Sequence, residues 1–479
     1  MRPMLVHSPN RVSLRGMSSL NEPTVRPRTL AIASSAPLLV LANFTLPMTA
    51  LPQTAASLGA GPTGPVWILG SIALGLSALL LVAGGLADDY GRRRVLVTGA
   101  GVLAVAEVVA AASPNIPVFV LARLVQGAAG AAVLAASLGI VGHAYPSGTR
   151  RLRATARYGA MIGLGTAVGP LLSGALAMVA SWRAAYWLMA ASALALAVVS
   201  ARGLAESRSD VPRKLDVPGV VLLSLGVAAL VAGVTEGRTG WTRPLVLGAF
   251  ALGVVLLAAF VAAERRRAEP LLDLALFRRP MFLVSTGGAL VVGVAVVGLL
   301  SYLPTVLQSV HGLTPLDTAL LFAVWSGTSF LTSLPAGRIR LRASTRLATG
   351  LGLSAAGFCA LLGVGTSLPL PLVVAGLAVS GVGSGLINSS ITHLAIESVP
   401  AHRVSMGSGA NNTARYIGSS LGAAGVAAVV GGLGPVAGTT VAVAGCVALT
   451  GVTALAALLV RPESGEAGHQ RRARAMVAR

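Results

Sequence analysis

Two opposite charges, Glu107 and Arg123, interrupt long apolar stretches of the sequence. An ionised side chain inside a hydrocarbon layer costs at least about 2.5 kcal/mol unless it is paired or neutralised. Glu107 precedes a short turn by about five residues and Arg123 follows it by about seven, which places both roughly 8–10 Å from one end of two antiparallel helices. The spacing predicts a Glu107–Arg123 pair that accepts and releases a proton; a static structural pair fits it equally well.

Further polar side chains lie in otherwise apolar stretches and are candidates for the lining of a cavity. Amides in such positions also form hydrogen bonds between helices, so each residue has this second interpretation. The candidates are Asn43, Gln126, Asn388, Asn412 and Arg415.

The elements that must position these groups are membrane helices. The 479-residue chain is 54% hydrophobic and 11% charged, with a mean hydropathy of +0.80, which lies outside the range of soluble proteins. A membrane crossing takes about 20 apolar residues, and the sequence predicts an all-α integral membrane protein in contact with lipid. Fourteen predicted spans fit, at 29–50, 65–87, 94–112, 117–142, 155–179, 183–201, 215–234, 243–263, 281–303, 315–336, 346–364, 368–393, 405–432 and 437–460.

The net charge of +21 is explained by orientation in the membrane. If residues 1–28 are cytoplasmic, 31 of the 36 basic residues fall in the tails and in loops on that side. Such an excess marks the cytoplasmic face. We therefore expect both termini in the cytoplasm, a location in the cell membrane and no binding of nucleic acid.

Internal repetition divides the chain. Ala83-Gly84 before a basic cluster reappears as Ala336-Gly337, and two glycine-rich segments recur with the same offset of eight spans. Parallel repeats of this kind place a transport path between two halves. We predict two six-helix halves, at 29–205 and 278–460, with a pair of central helices between them at 206–277. The predicted tails are a disordered segment, 1–28, and a second tail, 461–479.

The loop after the second span carries a motif. Gly84-Gly85-Leu86-Ala87-Asp88-Asp89-Tyr90-Gly91-Arg92-Arg93-Arg94 resembles the signature loop of the major facilitator superfamily. Gly165, Gly169, Pro170 and Gly174 resemble the antiporter motif of its drug exporters, and the segment after Glu264 is similar to the connector of the fourteen-helix drug:proton antiporters. The resemblance runs from about residue 38 to residue 460.

This resemblance implies a major facilitator fold and export of a small hydrophobic or amphipathic compound in exchange for protons. It implies a gating role for Gly84, Asp88, Gly91, Arg92 and Arg93, with Asp88 against the positive end of span 13 near Ser405. From the residues themselves, Pro170 frees the carbonyl of Thr166 and predicts a bend in span 5. The small residues at 165, 169 and 173 let a neighbouring helix approach closely.

Three positions depart from the family pattern. Asn43 stands where the family usually has an aspartate in span 1, Asp89 replaces a basic residue of the signature loop, and Ser173 replaces a glycine of the antiporter motif. The first two departures concern the family's proton coupling and gating. The third does not disturb the antiporter motif, because serine is also a small residue.

Other functions have less support. Gly418-Ser419-Ser420-Leu421-Gly422 matches a nucleophile elbow, but that chemistry needs a strand–turn–helix setting and this stretch is an apolar helix. The six histidines show no metal spacing, so we expect no enzyme, no metal and no cofactor. A carrier for uptake or metabolite exchange, with weak or no proton coupling, remains the alternative. A membrane scaffold or sensor would need an interaction domain, and no segment is long enough to form one. We expect a monomer.

Overall fold

The computed structural model describes residues 27–145, 149–208, 216–237, 240–267, 274–336, 341–397 and 404–459. Within these ranges the chain is helical and contains no strand. Most of the predicted tail 1–28 and all of the tail 461–479 lie outside the described residues.

Sixteen α-helices form in the described part of the chain. The first eight are α1 Pro27–Thr45, α2 Pro47–Ser57, α3 Gly64–Tyr90, α4 Arg92–Ala112, α5 Ile116–Ala144, α6 Thr149–Val179, α7 Trp182–Gly203 and α8 Val217–Glu236. The next eight are α9 Pro244–Arg266, α10 Pro280–Val291, α11 Gly298–His311, α12 Pro315–Ala336, α13 Ala343–Cys359, α14 Leu370–Glu397, α15 Val404–Leu433 and α16 Pro435–Leu459. A 3₁₀ turn, Leu274–Arg278, precedes α10, and a π-helical segment, Val292–Val297, joins α10 to α11.

Length and hydropathy identify many of these helices as membrane spans. Ten are long and apolar enough to cross a bilayer, counting α10, the π segment and α11 as one, and the pair α1–α2 makes an eleventh. The helices α3, α12 and α13 occupy the three remaining predicted positions. Helices therefore occur at each of the fourteen predicted span positions, and the prediction of an all-helical membrane protein is confirmed.

Several predicted boundaries differ from the structure: span 9 was predicted to end at 303 but α11 runs to His311, span 5 was predicted to begin at 155 but α6 begins at Thr149, and spans 1 and 11 differ as follows. Span 1 was predicted as one run, 29–50, but it breaks at Leu46, bends by 46° and continues to Ser57. Pro47 explains the break, because it has no amide to donate to the preceding turn. Span 11 was predicted to end at 364, but α13 ends at Cys359 and a turn-rich stretch with Gly363 and Gly365 follows.

The packing of the helices repeats along the chain. In the first group α3 packs on α5, α4 packs on α5 and α7, and α1 packs on α6. In the second group α12 packs on α14, α13 packs on α14 and α16, and the unit α10–α11 packs on α15. Each contact of the second group corresponds to one of the first with an offset of eight spans. The pattern supports the predicted two-half organisation, whose boundaries stay a prediction.

The two groups meet along two pairs of helices, and the two central helices lie beside one of them. The helix α6 packs on α12, and α15 packs on α3. Helices α8 and α9 pack mainly on each other, while α8 also contacts α3 and α15. The central pair thus lies at the edge of the contact between the groups.

Candidate functional site

A polar cluster lies buried where α1, α4 and α5 meet. The guanidinium of Arg123 on α5 is fully buried, and its Nη1 donates to Asn43 Oδ1 at 2.8 Å and Gln126 Oε1 at 2.9 Å. The same nitrogen donates to the backbone oxygen of Asn43 at 3.1 Å. Arg123 is therefore held by neutral acceptors from its own helix and from α1.

Glu107 on α4 is fully buried in the same cluster. It lies near enough to Arg123 for a charge interaction and to the Asn43 side chain for a polar contact, although neither carboxyl oxygen has hydrogen-bond geometry with a described residue. The direct pair predicted between Glu107 and Arg123 is not formed in this conformation. Arg123 Nη1 is instead shared between oxygens of Asn43 and Gln126.

The rest of the cluster is aromatic and incompletely hydrogen-bonded. The Tyr186 ring lies 6.0 Å from the Arg123 guanidinium carbon, and it packs edge-on against Phe119 at 5.4 Å. Within the described part of the chain, the Tyr186 hydroxyl and Arg123 Nε also have no hydrogen-bond partner. Buried polar groups are nearly always paired, and a proton on Glu107 would give the cluster a further hydrogen-bond donor.

The signature loop is held by a residue that the motif does not include. Gly91 separates α3 from α4 with a φ of +105°, which favours glycine. The Glu206 carboxylate accepts from the amides of Arg93 at 3.0 Å and Arg94 at 3.2 Å. A Cβ at position 91 would come within 2.7 Å of that carboxylate. Glu206 therefore caps the first turn of α4.

The other members of the signature loop differ in how much the structure describes. Gly84 lies in α3, where a Cβ would contact nothing within 4 Å. The Arg92 side chain lies over Gly139 of α5, and Arg93 donates to the Leu204 carbonyl at 3.4 Å. The side chains of Asp88 and of Ser405, its predicted partner region, lie outside the described residues.

The small residues of the predicted antiporter motif lie against α1 and α12. A Cβ on Gly165 would come within 2.3 Å of the Leu38 carbonyl oxygen, and one on Gly169 within 2.3 Å of the Ala42 carbonyl oxygen. A Cβ on Gly174 would lie 2.8 Å from the Pro315 carbonyl oxygen. Glycine at these positions allows α6 to contact the backbone of both neighbours.

Hydroxyl groups cover the carbonyls around Pro170. Thr45 Oγ1 lies 3.4 Å from the Thr166 carbonyl that Pro170 leaves without an amide. Thr49 Oγ1 donates to the Pro170 carbonyl at 3.0 Å. The helix α6 runs without a break through Pro170, and the break in this region lies in the facing span, between Thr45 and Pro47.

A cavity of about 830 Å³, part of it open to solvent, lies between the two helix groups. Its walls come from α1, α2 and α6 on one side and from the π segment, α11, α12, α14 and α15 on the other. Two aromatic pairs line it: Phe44 with Tyr416, 5.7 Å between ring centres, and Phe322 with Trp325, 5.2 Å apart. The mostly apolar walls are typical of sites for small organic ligands.

Among the lining residues that the structure describes, Arg415 is the charged one. Its Nη1 lies 3.4 Å from Asn388 Oδ1 and its Nη2 lies 3.3 Å from Asn412 Oδ1. The guanidinium also lies 5.3 Å from the centre of the Tyr416 ring. Asn388 and Arg415 therefore belong to the cavity lining, as the sequence predicts for both.

The remaining predicted cavity residues lie elsewhere. Asn43 and Gln126 are buried in the Arg123 cluster, and neither is part of the described cavity lining. Asn412 is not part of it either, but it contacts Arg415 from one turn away. An amide side chain in an apolar helix looks the same in the sequence whether it faces a cavity or another helix. Only the packing of the helices distinguishes the two positions.

Sequence reasoning missed the four aromatic cavity residues and Glu206. Aromatic residues make up only 4% of the chain, so an aromatic residue in the middle of a span is an available signal that was not used. The capping role of Glu206 had no local signal, because it lies more than 100 residues from the amides that it binds.

Helices that cross a membrane and enclose a cavity between two similarly packed groups define a multi-pass carrier-type membrane protein. Residues 34–423 match the Major Facilitator Superfamily, and the chain belongs to that family. It is 32% identical to the multidrug resistance protein Stp of Mycobacterium tuberculosis over 383 residues, 79% of this chain and 71% of that protein. It is 32% identical to the puromycin resistance protein pur8 of Streptomyces alboniger over 405 residues, 82% of this chain and 80% of that protein.

Solved structures show the same fold at lower identity. The crystal structure of a POT family transporter in complex with 5-aminolevulinic acid aligns with a TM-score of 0.66 at 14% identity, over 89% of this chain and 95% of that one. At this identity the likeness describes the fold alone.

Proposed function

We propose that this protein exports hydrophobic or amphipathic drug-like molecules, including antibiotics, in exchange for protons. The observation that carries the proposal is the mostly apolar cavity between the two helix groups. The relatives named as multidrug and puromycin resistance proteins support this class of substrate.

The position of the cavity supports an alternating-access mechanism. Its walls come from both helix groups, so a rocking motion of one group against the other would expose it first on one side and then on the other. Gln308 Nε2 on α11 donates to the Thr49 carbonyl on α2 at 2.7 Å and joins the groups on the predicted outer side. This contact must break when the carrier opens outward.

We assign proton coupling to Glu107. Glu107 is fully buried, which makes the ionised carboxylate costly, whereas the neutral acid is far less costly to bury. A movement of α1 would change the position of Asn43, release the Arg123 guanidinium and let Glu107 become ionised beside it. The release of the proton from Glu107 is then coupled to the movement of α1.

The family motifs complete the mechanism. The close approach of α6 to α1 through Gly165 and Gly169 seals the carrier against leak while the groups rock. Asp88 and the signature loop gate the inner side, and Glu206 keeps the loop in place through the cap on α4. The fourteen-span layout, the cell membrane location and cytoplasmic termini belong to the same proposal, supported by the distribution of basic residues. A monomeric state is part of the proposal as well.

A susceptibility screen tests the function. Cells without their main drug exporters are grown with and without this protein, against a panel of hydrophobic antibiotics, in the presence and absence of a protonophore. We expect resistance to at least one compound and its loss when the proton gradient collapses. Greater sensitivity on expression would favour uptake, and resistance that survives the protonophore would contradict proton exchange.

A further inference from the structure

Among the residues that the structure describes, no opposite charge contacts the charge in the cavity. Arg415 lies in the middle part of α15, and its described contacts are the amide oxygens of Asn388 and Asn412 and the ring of Tyr416. None of these contacts is anionic. The amide contacts are 3.4 Å and 3.3 Å long, so the guanidinium is positioned but has donor capacity left for a ligand.

The second observation is the lack of an acidic group on the described part of the cavity wall. None of the described lining residues is an aspartate or a glutamate. Glu107, the acid in the middle of a predicted span, is fully buried in the other cluster. The electrostatic character of the described walls is therefore positive, and it disfavours a cation at this place.

Two further donors on the wall lack partners. The Trp325 indole nitrogen and the Ser384 hydroxyl have no hydrogen-bond partner in the ranges that the structure describes, and both residues line the cavity. Trp325 is 8% exposed, and its N–H is a donor only. An acceptor atom of a ligand would satisfy a donor that is otherwise left unpaired.

The aromatic pairs favour a ring system in the same ligand. Phe44 and Tyr416 come from opposite helix groups and face each other with a centroid separation of 5.7 Å. Phe322 and Trp325 form the second pair on α12. Aromatic side chains of this kind bind flat apolar groups through stacked and edge-on contacts.

We infer that the preferred substrates are aromatic amphiphiles that carry an anionic group, with the anion at Arg415 and the ring system between the aromatic pairs. A guanidinium binds carboxylates and sulfonates through short charge-assisted hydrogen bonds, which neutral acceptors do not match. The inference rests on the proposed export function and names the substrate class of its cavity.

A matched pair of probes tests the inference. Anilinonaphthalene sulfonate and N-phenylnaphthylamine share one aromatic skeleton and differ by the sulfonate, and tetraphenylphosphonium supplies an aromatic cation. Binding to the full chain in lipid nanodiscs is measured by equilibrium dialysis, with empty nanodiscs subtracted. We expect the sulfonate to bind more tightly than the other two probes, and this comparison needs no variant.

Variants locate the effect. Arg415→Gln is expected to weaken sulfonate binding about tenfold or more and to change binding of the neutral probe by less than about twofold. Trp325→Phe keeps a ring and removes the donor, so it should weaken sulfonate binding about threefold without affecting the neutral probe. Arg202→Gln is the matched control, because it removes one positive charge from an exposed position in the last turn of α7.

Three results would overturn the inference: tighter binding of the cation than of the sulfonate, absence of sulfonate binding where the neutral probe binds, or equal losses of both probes in Arg415→Gln with a normal size-exclusion profile. If Arg415→Gln does not fold, the wild-type probe ranking and Trp325→Phe decide. Drug export in the susceptibility screen without sulfonate binding would reject the substrate class and leave the export proposal standing. Arginine-dependent sulfonate binding without any export would reject the export proposal instead.

Discussion

Two arginines within membrane-spanning helices of this chain have opposite surroundings. Arg123 is fully buried and held by short hydrogen bonds of 2.8 Å and 2.9 Å to neutral oxygens. Arg415 lies on the cavity wall, partly exposed, with amide contacts of 3.4 Å and 3.3 Å. Arg123 therefore holds α1 and α5 together inside one helix group, whereas Arg415 is available to a ligand.

The helix α1 connects the two regions. Asn43 belongs to the Arg123 cluster, whereas the adjacent Phe44 lines the cavity. A displacement of α1 therefore changes the buried cluster and the cavity wall together. We consider this pair of neighbours the structural basis for coupling between a proton and a substrate.

Removing each arginine in turn gives the largest expected effect. Arg123→Leu leaves the buried acceptors Asn43 Oδ1 and Gln126 Oε1 without their donor, which should cost roughly 2–4 kcal/mol of stability. Arg415→Leu should cost less than about 1 kcal/mol, because its contacts are long and partly exposed. Unfolding of the purified protein by a denaturing detergent measures both, and equal losses would refute the comparison.

A substitution between α1 and α6 should disturb both regions at once. A Cβ on Gly169 meets the Ala42 carbonyl oxygen and Thr45 Oγ1 at 2.3 Å, so Gly169→Ala should cost about 1–3 kcal/mol and weaken probe binding in the cavity. Gly159→Ala on the same helix is the matched control, because a Cβ there contacts nothing within 4 Å. Similar effects of the two variants would show that α1 does not depend on this contact.

The smallest effect should come from Glu206, which lies outside both regions. Glu206→Gln weakens the cap on α4 and should cost about 0.5–1.5 kcal/mol, felt in the first turn of that helix. Hydrogen exchange should become faster at the amides of Arg93 and Arg94 and stay unchanged in α16. Unchanged protection at these two amides would mean that the carboxylate does not hold the loop.

The sequence could predict the fold because hydropathy and basic loops report directly on the membrane. It could not predict the split of the polar residues into two sites, whereas Pro47 is a sequence signal for the break at Leu46 that was not used. Glu107 and Arg123 lie in one buried cluster, but the guanidinium has Asn43 and Gln126 as its hydrogen-bond partners instead. Such a choice depends on a neighbouring helix, and the spacing along α4 and α5 carries no information about it.

The most direct test of the account is proton-driven transport by Glu107→Gln. Wild-type protein and variant are reconstituted into proteoliposomes, an inward or outward pH gradient is imposed, and uptake of a compound identified in the susceptibility screen is followed. We predict that the variant folds and binds cavity probes normally but transports at the same rate with and without the gradient. Gradient-driven transport by the variant at the wild-type rate would contradict the assignment of the coupling proton to Glu107.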